Sequence, residues 1–130
     1  MDNRVFKPFQ EWLKQSVYDF GTAKAMFTTR RYIYAVFMCH LALEKALKGF
    51  YSKIQKKNPP RTHDLNFLAK NINLELPEDL RMFLNNLNDL SVPTRYPDEL
   101  KHILKEYNKL RTEKILAQTQ KILLWLKEKL

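Results

Sequence analysis

The chain has 130 residues, 45% hydrophobic and 28% charged, which suits one globular domain with a single core and excludes a disordered or fibrous chain. The net charge of +9 is unevenly spread: residues 45–61 carry Lys45, Lys48, Lys53, Lys56, Lys57 and Arg61 with no acid, a field that attracts phosphates or acidic protein surfaces. The two glycines, Gly21 and Gly49, are too far apart to write a G-x-G-x-x-G turn or a P-loop, and tight β-hairpins lack their turn residues, so Rossmann and P-loop chemistry are excluded and an all-α fold is favoured.

Pro8 suits a first helical turn, and Phe9, Trp12, Leu13, Ser16, Val17, Phe20, Ala23 and Phe27 then recur at three- and four-residue steps, predicting an amphipathic helix to about Thr28. After Arg30-Arg31 comes 32–57, apolar nearly all round in its first half, with Val36, Cys39, Leu43, Ala46, Leu47, Phe50 and Ile54 continuing the stripe. Such a helix is packed on most sides, so it is expected at the centre. Asn58-Pro59-Pro60 ends it.

Thr62 or Asp64 can cap a third helix with Leu65, Leu68, Ala69 and Ile72 inward. Pro77, Glu78 and Asp79 open a fourth, burying Leu80, Phe83, Leu84, Leu87 and Leu90. Pro93 and Pro97 forbid helix between them, and Asp98 is a candidate cap for a last helix running to Leu130. In that helix Leu100, Ile103, Leu104, Tyr107, Leu110, Ile115, Leu116, Thr119, Ile122, Leu123 and Leu126 follow a helical period whose phase slips between Leu110 and Ile115, predicting a kink or break over 108–112. The expected architecture is an all-α, up-and-down bundle of about five helices in one domain spanning 1–130.

Cys39 is the sole cysteine, and His40, His63 and His102 are scattered, so no disulfide, metal site or cofactor is expected. The N-terminal residues lack a hydrophobic signal core, and the longest mostly apolar run, 32–43, is too short for a membrane span, so a cytoplasmic location is expected.

His40, Glu44 and Lys48 fall at i, i+4 and i+8, one polar stripe on a helix that otherwise buries itself, with Lys45 beside it in the basic stretch. The stripe either lines a groove where Lys48 meets phosphate or is an intrahelical ion pair. His63, ahead of Asp64, either caps and packs or contacts phosphate. Cys39 belongs to the core. Tyr32 and Tyr34 beside Arg30-Arg31 offer a stacking surface to a base.

Trp12 with the first-helix stripe, Ala42-Leu43-Glu44-Lys45-Ala46-Leu47-Lys48, Thr62-His63-Asp64-Leu65 with Leu68, and Arg95-Tyr96-Pro97-Asp98 together resemble, in order and spacing, the successive signatures of the HEPN domain family. The resemblance implies a helical bundle, commonly a homodimer, that binds nucleotide and is often encoded beside a separate nucleotidyltransferase partner. Glu44 and Lys48 match its recurrent polar positions, and His40 stands where relatives often carry glutamine.

Several branches of that family are metal-independent ribonucleases, frequently the toxin of a toxin–antitoxin pair, with an arginine, four to six residues, then a histidine. Arg95 and His102 fit that spacing, His102 moving a proton of RNA and Arg95 holding the phosphate. The chain departs from the pattern at Tyr96, where catalytic members usually place Asn, Asp or His, and Pro97 keeps Arg95 off the helix that carries His102. The leading expectation is therefore a non-catalytic module binding nucleotide or nucleic-acid phosphate through Glu44, Lys48, His40, His63 and Lys45. The alternatives are the ribonuclease using Arg95 and His102, and a structural dimer whose basic segment docks an acidic protein.

Overall fold

Pro8, extended at φ −69° and ψ 160°, delivers the chain into helix α1 (Phe9–Thr28), and its carbonyl accepts the amides of Glu11 and Trp12. The helix stops at Thr29, and Arg30 takes a left-handed φ of 64°, turning the chain back for α2 (Tyr32–Gln55). Lys56, also left-handed at φ 53°, closes α2 just before the Asn58-Pro59-Pro60 stop. The computed structural model describes residues 5–94 and 99–129.

Asp64 caps α3 (Leu65–Asn71), its carboxylate accepting the amides of Asn66 at 3.1 Å and Phe67 at 3.3 Å; Thr62 instead holds the Asp64 amide. Pro77 precedes α4 (Glu78–Ser91), whose first turn holds Glu78 and Asp79 at the positive end of the helix dipole. A 3-10 turn, Val92–Thr94, follows, and the chain continues in α5 (Leu100–Glu106) and α6 (Lys109–Glu128). The candidate cap Asp98 lies outside the described residues; α5 starts after Glu99.

The described residues thus hold six α-helices and no strand, rather than five helices, because the phase slip of the last one is a complete break. The break falls at Tyr107-Asn108. Tyr107 leaves helical geometry at ψ 63°, its phenol donates to the Leu90 carbonyl at 2.6 Å, and Asn108 restarts the chain as a cap that accepts the Arg111 amide at 2.9 Å.

Helix α2 is central, packing against α1, α3, α4, α5 and α6. Its buried residues run all round the helix, and with Leu65, Leu68, Leu84, Leu87, Ile115, Ile122 and Leu126 they form one continuous core. Cys39 is fully buried there. The expected inward positions Val17, Ile54, Leu100, Leu104 and Leu110 are exposed instead. Period fixes the angle of an apolar stripe but not whether a neighbour lies across it, and the seven-residue α5 buries only Ile103. Among the described residues no helix is long and apolar enough to cross a membrane.

Candidate functional site

Glu44 projects from the middle of α2 and is only 5% exposed, yet both its carboxylate oxygens are engaged. Oε2 accepts Lys48 Nζ at 2.9 Å, one helical turn on. Oε1 accepts His63 Nδ1 at 2.8 Å, from the segment between α2 and α3. A charge taken from water at a cost of several kcal/mol is tolerated only when countercharge and hydrogen bonds replace the solvent, and this arrangement supplies both.

His40 completes the stripe one turn earlier, with Nδ1 3.8 Å from Glu44 Oε1 and the side chain 1% exposed. Its Nε2 lies 3.2 Å from Asn88 Oδ1, which also accepts the Leu65 amide, while Asn88 Nδ2 donates to Asp64 Oδ1 at 3.0 Å. With Oδ1 an acceptor, Nε2 of His40 is the protonated nitrogen. Two imidazoles, one buried and one at the surface, therefore flank a single carboxylate oxygen, and the inner one is tied through Asn88 to the cap of α3.

The outer edge is cationic and aromatic. Trp12 of α1 is 9% exposed and its ring lies 5.8 Å below Lys48 Nζ and 4.0 Å from Lys7 Nζ. The side chain of His63 is 65% exposed, with Nδ1 committed to Glu44 and Nε2 the nitrogen left to face a ligand. The arrangement can present two ammonium groups to an anion, joined by the Nε2–H of His63 in its imidazolium form. Among the described residues no three His, Cys, Asp or Glu side chains gather as a metal site.

The structure thus brings together His40, Glu44, Lys48 and His63. Lys45 is elsewhere: its Nζ lies 2.7 Å from Asp19 Oδ2, an α1–α2 ion pair away from Glu44. His102 sits on α5, 62% exposed, with Nε2 3.4 Å from Glu106 Oε2. Arg95, its expected companion, lies outside the described residues. Cys39 is no nucleophile: burial raises its thiol from 9.0 to about 12, against a smaller lowering by the neighbouring Thr119 hydroxyl.

Asn88 and Asp19 were not anticipated. Asp19 interrupts the apolar run of Val17, Tyr18 and Phe20, whereas Asn88 lies in a polar stretch of α4 and carries no local signal.

A family model for the HEPN domain matches residues 9–130. The chain is similar to the crystal structure of TT1696 from Thermus thermophilus, at 28% identity and a TM-score of 0.81, over 94% of this chain and 98% of that one. It is also similar to ST0689, an archaeal HEPN homologue, at 26% identity and a TM-score of 0.76, over 95% of this chain and 98% of that one. No curated protein matches.

Proposed function

Because the chain belongs to the HEPN domain family, we propose that it is a binding module for nucleotide or nucleic-acid phosphate, working as a homodimer with a separate nucleotidyltransferase partner in the cytoplasm. The observation that carries the reading is the Glu44 cluster: a buried carboxylate that fixes Lys48 and the surface imidazole of His63, beside Trp12 and Lys7, in a chain of net charge +9. Phosphate oxygens accept from such donors, and the aromatic ring and basic stretch 45–61 extend the attraction beyond one phosphate. Glu44 acts by positioning, since its own charge opposes an anion. Lys45, paired with Asp19, contributes to the field rather than to direct contact.

Titration with fluorescent ATP and with a short labelled RNA at low salt tests the reading. Saturable binding is expected, weakened about tenfold by His63→Ala, the loss of one charge-assisted contact. His63→Ala also removes one partner of the buried Glu44 carboxylate, so its melting curve is read beside the titration to separate a lost contact from a lost fold. Absence of saturable binding, or binding unchanged by both His63→Ala and Lys48→Ala, would overturn it.

A further inference from the structure

The two glycines of this chain sit in opposite circumstances. A Cβ at Gly49 would stand 3.0 Å from Trp12 Cβ and 3.4 Å from the Phe9 carbonyl, so the close approach of α1 to α2 explains that glycine within the chain. A Cβ at Gly21 would meet nothing within 4 Å, and its φ is not positive, so no internal contact or turn explains it. Yet Gly21 lies in the middle of the 20-residue α1, where glycine weakens a helix.

Gly21 lines a groove of about 300 Å³ between α1 and α6, floored by Ala46 of α2. Leu13 and Val17 wall one side, Leu123 and Leu124 the other, and Val17 and Leu124 are 65% and 56% exposed. The hydroxyl of Ser16 is already spent on the Ala42 carbonyl at 2.6 Å, which leaves Gln120 as the uncharged polar side chain of a lining that otherwise offers its occupant apolar surface. The charged lining residues, Lys24 and Lys127, are both basic.

We propose that the α1–α6 groove docks an amphipathic helix of another protein, its apolar stripe seated between Val17 and Leu124, its backbone passing close to Gly21, and its acidic flanks meeting Lys24 and Lys127. Apolar walls with charged margins are how a groove receives a helix, and the absent side chain at Gly21 is what permits close backbone approach. Charge selects the occupant: a second copy docked groove to groove about a twofold axis would set Lys24 and Lys127 against the same lysines, whereas acidic flanks neutralise them. The groove contains no residue of the Glu44 cluster, so the inference stands independently of phosphate binding.

Selection from a library of displayed helical peptides about four turns long tests it on the intact chain. The expected result is enrichment of peptides with apolar residues at i, i+3, i+4 and i+7 flanked by Asp and Glu. Their affinity should fall about tenfold for Gly21→Leu and for Leu124→Glu, and their acidic preference should be lost in Lys24→Glu/Lys127→Glu. Gly21→Ala should raise the melting temperature, showing that the glycine serves no purpose within the fold. Failure to enrich any such pattern, enriched peptides indifferent to Gly21→Leu, or a dimer in sedimentation that Gly21→Leu turns to monomer would overturn the proposal, the last by making a second copy the occupant.

Discussion

Glu44 and Lys48 form a buried pair whose value lies in being complete. Glu44→Gln preserves shape but leaves the 8%-exposed ammonium of Lys48 without its countercharge. Breaking one side of a buried pair costs about 3 kcal/mol, so urea unfolding of Glu44→Gln should show a loss of that size, and Glu44→Gln/Lys48→Met should recover most of it. Cys39 gives a second prediction, in pH. Its thiol titrates at 9.0 when unfolded and about 12 when folded. Below 9.0 both states keep the proton; above it the unfolded chain releases a proton that the native state retains. Stability from this group therefore falls by about 1.4 kcal/mol per pH unit between the two values. Cys39→Ala lacks that loss, so its deficit against the parent chain should shrink as pH rises from 8 toward 11, as read by urea midpoints. The i, i+4 spacing of Glu44 and Lys48 makes their pairing legible in the sequence, and the apolar neighbours of Cys39 make its burial so. The bonds of Glu44 to His63 and of His40 to Asn88 are not, because they join residues 19 and 48 positions apart, and no local pattern encodes which loop folds over which helix.

Helices α1, α2, α3 and α4 fall close to where periodicity, prolines and caps set them, because those signals are local and strong. The last predicted helix divides because one residue of it serves a distant partner: Tyr107 turns its phenol to the Leu90 carbonyl at the end of α4, and Asn108 supplies the new cap. Tyr107→Phe removes the donor and leaves that carbonyl unmatched, and a loss of about 1 kcal/mol with faster amide exchange in α5 is expected in hydrogen-exchange measurements. The α1–α2 pair sets a stricter condition. Trp12 Cβ is fixed to the α1 backbone, so a methyl at Gly49 is accommodated only if α1 gives by a few tenths of an ångström at this crossing. Gly49→Ala should cost about 1–3 kcal/mol net of the helix propensity it gains, read as a lowered thermal midpoint. The exposed apolar positions of α1 and α6 show the limit of pattern reading. Val17 and Leu124 carry the right residue type for a core, but whether a partner covers them depends on a second molecule that one sequence does not contain.

The charge of the whole chain acts at longer range than any of these contacts. Of the net +9, six charges come from residues 45–61, which begin beside the Glu44 cluster and run out along the end of α2 to Arg61. If phosphate binding at the cluster draws on this field, it must depend on salt, since each phosphate neutralised on a single strand releases condensed counterions and adds about 0.7 to the slope of log affinity against log salt. Replacing Lys53, Lys56 and Lys57 together by glutamine removes three such contributions, so the slope measured for a short RNA should decrease by about 2 while the effect of His63→Ala persists. An unchanged slope would assign those lysines to an acidic protein surface instead, leaving the nucleic-acid contacts confined to the cluster itself. The two arms separate because field and contact are physically distinct. Ionic strength screens the exposed lysines of the basic stretch, whereas the hydrogen bond that holds His63 to the buried carboxylate is a short-range contact and responds less to salt.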